Sequence, residues 1–395
     1  MDEKHYFLMV SDKQVFMLIR GGDVYVPGHI GVKDILIVGK EIVAIGEDLN
    51  VPEKLGVTVI DASGKYVFPG LIDPHVHVLG GGGEGGPATR TPEIVLSDIT
   101  SSGITTVVGV LGTDNISRSV DALYAKTRGL CIEGISAYLY TGSFHYPAST
   151  ITGSVKKDVA FFKEVVGVKT AISDHRDSHM TLEEFARVSS EARFGGMLGG
   201  KKGVVHVHIG EGEKGLGPIY DLLEWGNIPI NQFHPTHVSR NPLLMEQGIE
   251  FVKHGGSIDL NPDPNVEDTV DIVSRLVDEK VDLTRITFSS DGNGSHCEFN
   301  EAGELTGLGV SSVSIIIETL RGIINSGILP IADLLGFFTC NTADIIGLEG
   351  KGRIDLGYDA DLLILESDLS LDSVIARGRL MVEEGKVLVK GNFEE

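Results

Sequence analysis

Over the first 67 positions, apolar and polar residues alternate in short runs, QVFMLIRGGDVYVP, KDILIVGKEIVAIG and VTVIDASGKYVFPG, broken by Gly- and Asp-containing turns. A period of two between turn residues predicts half-buried strands, and so a small β domain. From residue 68 the pattern changes. Apolar runs become continuous, near 71–77, 104–110, 135–141, 168–172, 203–209, 231–236, 257–260 and 285–290, and amphipathic helical stretches separate them. In one of these, TLEEFARVSSEAR, Thr181 and Glu184 form a capping box, and Leu182, Phe185 and Val188 share a face. Strands that do not alternate are buried on both sides, so eight strand–helix units predict an α/β fold, a (β/α)8 TIM barrel. The β pattern returns after about residue 350 in GRIDLGYDADLLILESDLS and GRLMVEEGKVLVKG. The predicted organisation is a barrel of residues 68–350 flanked by a small discontinuous β domain, residues 1–67 and 351–395. The chain shows no internal repeat, and GGGGEGG (80–86) is too short to link domains.

Composition narrows the function classes. With 56 acidic against 33 basic residues the net charge is −23, which argues against nucleic acid and anionic membranes as partners, since both need a basic face. An acidic substrate stays open, because a few arginines in a pocket set the local field. The three cysteines, Cys131, Cys297 and Cys340, are scattered and odd in number, as expected of reduced thiols. The opening MDEKHYFLMV carries charges where a signal peptide has an apolar core, and no run approaches the ~18 apolar residues of a membrane span. These features predict a soluble cytoplasmic protein.

In a barrel of this kind, function sits where the strands end at their C-termini. The first strand, FPGLIDPHVHV, ends with His75 and His77, which point the same way and are spaced to hold one metal. The fifth strand, GVVHVHIG, ends with His208, and the sixth, NQFHPTHV, with His237. The eighth, RITFSSDGNG, ends with Asp291. The fourth holds Lys169 inside the apolar VGVKTAISDHR, where an amine either snorkels to water, loses its proton, finds a carboxylate or does chemistry. Imidazoles with a carboxylate suit Zn²⁺, Co²⁺ or Mn²⁺. Among rival histidines, His206 lies a layer deeper than His208, His234 is less well placed than His237, and His145 and His175 fall in loops.

This constellation resembles the amidohydrolase superfamily. The words YTGSFHYP, GVKTAISDHR, FGGMLGGK, HIGEGEKGLGPIYDLLE, PTHVSRN and SSDGNGS resemble, within it, the isoaspartyl (β-aspartyl) dipeptidases. The resemblance covers nearly the whole chain. It implies two divalent ions, Zn²⁺ first with Co²⁺ or Mn²⁺ as alternatives, and a CO₂-derived carbamate on Lys169 bridging them. His75, His77 and Asp291 would hold one ion and His208 and His237 the other. Asp291 would also be the catalytic proton shuttle for a bridging hydroxide that cleaves the isopeptide bond of an isoaspartyl dipeptide. Burial of Lys169 fits this chemistry, because a desolvated lysine has a neutral amine ready to attack CO₂.

An isoaspartyl dipeptide presents an ammonium and two carboxylates. Glu84, in LGGGGEGGP, suits the ammonium, and Arg176 and Arg240 suit the carboxylates. The resemblance adds Gly82, Thr113 and Ser295 as substrate contacts, and a homo-oligomer, an octamer by analogy. One position departs from the family: where a tyrosine commonly stands in YTGSFHYP, this chain has Phe144, with Tyr146 or Tyr140 as substitute hydroxyls or the second metal acting alone. The alternatives are another amidohydrolase, a cyclic amidase or N-acyl deacetylase, and a non-catalytic scaffold relative, which would have lost ligand histidines. None is lost here.

Overall fold

The computed structural model describes residues 15–300 and 304–394. Positions 1–14, 301–303 and 395, among them the charged opening and the start of the expected β domain, lie outside the described residues.

Eight strands form the barrel: Leu71–Val76, Ile104–Gly109, Ser136–Gly142, Val165–Ile172, Val204–Ile209, Phe233–Thr236, Ile258–Leu260 and Ile286–Phe288. Each is buried along its length except for Tyr138 in the third, which explains why the sequence runs are apolar rather than alternating. The first six make one parallel sheet, and the seventh and eighth pair with each other. Side chains close the two seams. Across one, Thr236 donates to Asp259 at 2.6 Å, and Thr287, within the seventh–eighth pair, donates to the other oxygen at 2.6 Å. Across the other, Ser290 donates to Asp73 at 2.5 Å, and the His77 amide donates to the Gly292 carbonyl at 2.9 Å. Burial pushes both aspartates up, each to about 7. Hydroxyls donating to both carboxyls offset part of the cost of that burial in a dry seam.

Helices cover the barrel. The longest, Leu182–Gly199, begins with the expected capping box and buries Phe185 and Val188 against the strands. No helix among the described residues is long and apolar enough to cross a membrane.

The chain ends form a separate nine-stranded sheet. Its two halves join where Leu362–Leu365 runs antiparallel to Tyr66–Pro69. Met17, Ile19, Ile35, Ile37, Val67, Leu362 and Ile364 fill its core. Lys351 ties this sheet to the barrel. Its buried ammonium donates to Ser136 at the start of the third barrel strand and to Asp361, each at 2.5 Å, with Asp359 at 2.8 Å. Burial pulls this amine's pKa down, and the two carboxylates more than reverse the effect.

Lys351→Met leaves two carboxylates without their cation at this junction. It is expected to lower stability by about 3–5 kcal/mol, measured by denaturant unfolding. A loss under about 1 kcal/mol would show that the junction tolerates water.

Candidate active site

All twelve candidate site residues from the sequence line one small cavity at the C-terminal ends of the barrel strands. Gly81, Gly112 and Phe144 complete its wall.

His75 and His77 follow one another on the same side of the first strand, their rings 5.4 Å apart. His75 Nδ1 bonds His206 Nε2 at 2.9 Å, so its Nε2 faces the cavity. There it meets Lys169 Nζ at 2.8 Å and Asp291 Oδ1 at 3.4 Å, while His77 Nε2 lies 3.1 Å from the same oxygen. Asp291 Oδ1 and His77 Nδ1 are buried with no hydrogen-bond partner among the described residues. Burial lowers the pKa of both imidazoles, which keeps their lone pairs free. Burial alone would push the Asp291 carboxyl up, yet His77, His237 and Lys169 beside it hold it well below the usual carboxylate range. Ligand atoms of His75, His77 and Asp291 lie within 4.8 Å of one another. A carboxylate oxygen aimed between two neutral imidazoles without a hydrogen bond fits a divalent cation.

Lys169 is 1% exposed. Burial pulls its amine down to about 7, against the opposing pull of Asp291 and Asp259. The amine lies 5.8 Å from the Phe144 ring centre, and that ring stands 4.3 Å from the His208 ring. His208 ends the fifth strand, and its Nε2 bonds Asp174 Oδ2 at 2.9 Å, so Nδ1 is its other face. His237 follows the sixth strand at φ +67°, and its Nδ1 bonds Asn261 Oδ1 at 2.5 Å, which leaves Nε2 toward the cavity. Burial lowers both imidazoles, His208 to about 3. The His208 and His237 rings are 4.5 Å apart. Asp291 also sits at positive φ, +50°. Non-glycine residues held in this region cost on the order of 1–3 kcal/mol each, and they gather where function over-determines the backbone. Gly294 lies against this cluster: a Cβ there would come 2.7 Å from Asp291 Oδ1.

The rim carries the charged groups. Glu84 accepts from Thr113 Oγ1 at 2.7 Å and from Ser295 Oγ at 3.1 Å, with Arg176 Nη1 at 3.7 Å. Arg240 is exposed at the mouth and donates to the Ile209 carbonyl. Gly82 lines the wall at φ +75°, and a Cβ there would meet the Thr89 carbonyl at 2.3 Å, so the turn itself requires glycine.

The rival histidines fall elsewhere. His234 is buried between Ser257 and Thr287, His145 bonds the Arg176 carbonyl, and His175 is exposed. His206 stacks on Tyr140 at 4.7 Å and supports His75 from below. Neither Tyr140 nor Tyr146 is among the lining residues, and Phe144 presents an apolar edge between Lys169, Arg176 and His208. Two polar partners of the histidines escaped the sequence reading, Asp174 in ISDHR and Asn261 just after the seventh strand. Their position after strand ends was the available signal.

The amidohydrolase family model matches residues 66–381. A solved β-aspartyl dipeptidase from Fervidobacterium islandicum, in complex with β-Asp-Leu, is 42% identical with a TM-score of 0.91, covering 96% of this chain and 100% of that one. A dihydroorotase from Lactobacillus johnsonii is 24% identical, with 88% of each chain covered. A dihydropyrimidinase structure from Brevibacillus agri shares the fold at TM-score 0.65 and 19% identity, covering 95% of this chain and 96% of that one.

His77→Ala removes one apex of the His75–His77–Asp291 cluster. After loading with Zn²⁺ and dialysis, the variant is expected to hold at least one ion fewer per chain than the unaltered protein, read by elemental analysis. Equal metal content would contradict the assignment of this cluster to a cation.

Proposed function

The chain belongs to the amidohydrolase family, and from that premise we propose that it is a two-metal hydrolase that cleaves the isopeptide bond of β-aspartyl dipeptides, releasing L-aspartate and an amino acid. The observation that carries this reading is the meeting of Glu84, Arg176 and Arg240 at the rim of the His–Lys–Asp cluster, in one cavity. A carboxylate beside two guanidiniums matches an ammonium and two carboxylates, and a 42%-identical β-aspartyl dipeptidase has been solved with β-Asp-Leu.

In this reading His75, His77 and Asp291 would hold one ion, His208 and His237 would hold a second, and Lys169, once carboxylated by CO₂, would supply an anion to both. The ions are Zn²⁺, with Co²⁺ or Mn²⁺ as substitutes. When bound, such ions lower the pKa of a water and polarise the scissile carbonyl. The Lys169 amine, pulled toward neutrality by burial, supplies the lone pair that CO₂ requires. Asp291, kept ionised at this site, takes the proton from the attacking water and returns it to the departing amine. Glu84, steadied by Thr113 and Ser295, receives the substrate's α-ammonium, and Arg176 and Arg240 grip its carboxylates. Phe144 supplies no hydroxyl, and neither Tyr140 nor Tyr146 is among the residues lining the cavity.

The dihydroorotase likeness supports a second reading, a cyclic amidase. A cyclic amide carries no free ammonium to set against Glu84. The two are separated by assaying β-Asp-Leu, α-Asp-Leu, dihydroorotate and an N-acetyl amino acid on the metal-loaded protein. β-Asp-Leu is expected to be the preferred substrate, with a loss on the order of 10⁴-fold in kcat/KM for an analogue lacking the α-amino group. Asp291→Asn is expected to lower kcat on β-Asp-Leu by roughly 10²–10⁴-fold. Faster turnover of dihydroorotate would overturn the dipeptidase reading in favour of the cyclic amidase.

A further inference from the structure

Asp174 stands where the two halves of this site touch. Ser173, at φ +55°, turns the chain out of the fourth strand, with its Oγ donating to the Gly215 carbonyl at 2.8 Å and its own carbonyl accepting from the Gly212 amide at 2.7 Å. The turn aims the Asp174 carboxylate back at the cavity wall. The fifth strand passes close beside it: a Cβ at Gly210 would lie 2.5 Å from the Asp174 Cα and Cβ, so glycine is needed for the approach.

The carboxylate is buried, and each oxygen accepts two hydrogen bonds. Oδ1 takes the Arg176 amide and Arg176 Nε, both at 2.9 Å. Oδ2 takes Arg176 Nη2 at 2.7 Å and His208 Nε2 at 2.9 Å. A carboxylate that merely braced its own loop would need Arg176 alone. Sharing Oδ2 with a histidine from the next strand does more. The carboxylate accepts at Nε2, so the His208 proton sits there and Nδ1 keeps its lone pair for the cavity. On the arginine, Asp174 engages the Nε and Nη2 edge, and Nη1 lies 3.7 Å from Glu84 in the cavity wall.

We propose that Asp174 is a positioning residue that couples the metal-holding face of His208 to the carboxylate-gripping face of Arg176. This rests on the two-metal dipeptidase reading and extends it. One carboxylate orients a group that acts on the reacting bond and a group that holds the substrate, so the two halves of the site are set by one side chain. An amide at 174 cannot accept at both edges, since Arg176 donates to both oxygens and the NH₂ would meet it as donor against donor at either.

The test compares the unaltered protein with Asp174→Asn in two measurements. In metal titrations against a competing chelator, the variant is expected to bind its second ion roughly 10–100-fold more weakly, with the first unchanged. At saturating metal its KM for β-Asp-Leu is expected to rise several-fold more than its kcat falls. Unaltered protein that binds two ions and cleaves β-Asp-Leu, beside a variant equal to it in both respects, would overturn the coupling and leave the functional reading intact. Unaltered protein that binds fewer than two ions would overturn both. The His208 tautomer, read by ¹⁵N NMR of histidine-labelled unaltered protein, tests the coupling without any variant. The Nε2–H form is expected, and the Nδ1–H form would overturn the proposal even if Asp174→Asn did not fold.

Discussion

Burial of the Lys169 amine is the constraint on which the rest of the site depends. An ammonium taken out of water is costly unless something balances it. At 1% exposure, with His75 Nε2 at 2.8 Å rather than a paired carboxylate, Lys169 is pulled toward its neutral form. The surroundings follow from that. Neutral imidazoles rather than cations can crowd around it, and the Asp291 carboxylate stays ionised beside them. Phe144 covers the amine with a ring instead of water. The proposed carbamate answers the same constraint, since it replaces an unpaired buried amine with an anion that neighbouring cations can hold.

A second polar system beneath this one keeps the cluster in place. His206 bonds His75 from below, and Lys169 and His206 are directly paired across adjacent parallel strands. On the other side, Asn261 bonds His237 and donates to Ser289, which donates to Asp259, the aspartate that closes one seam of the barrel. The same contacts that close the barrel therefore orient a site histidine. A buried hydrogen-bonded network of this kind favours one arrangement, at the cost of making each member hard to replace.

Most of the barrel was legible because its strands are buried on both faces and its longest helix carries a capping box. The eight apolar runs coincide with the eight strands to within about three residues, and Thr181 with Glu184 marks a helix start that is present. The candidate ligands were legible for the same reason: once the strand ends are placed, His75, His77, His208, His237 and Asp291 follow by position. The pairing pattern was less visible. The barrel is laddered as six strands plus two, because Asp259 spans one seam through its side chain and the other has Asp73 beside an isolated backbone bridge, and a hydropathy pattern does not distinguish such seams from a continuous ladder. Asp174 and Asn261 were missed because a loop carboxylate and a loop amide look alike whether they face water or a histidine. The tyrosine positions show the limit of local geometry. Tyr146 was the better substitute hydroxyl on strand alternation, but it lies outside the cavity lining, and Tyr140 is spent on stacking with His206.

The central claim is that Lys169 is held neutral so that it can take up CO₂ and join two cations. The most direct measurement is ¹³C NMR of metal-loaded protein equilibrated with ¹³C-bicarbonate. The account predicts one protein-bound carbamate carbon per chain, absent from Lys169→Ala and lost together with the metals on chelation at acid pH. Full metal content and turnover of β-Asp-Leu without that signal would contradict it.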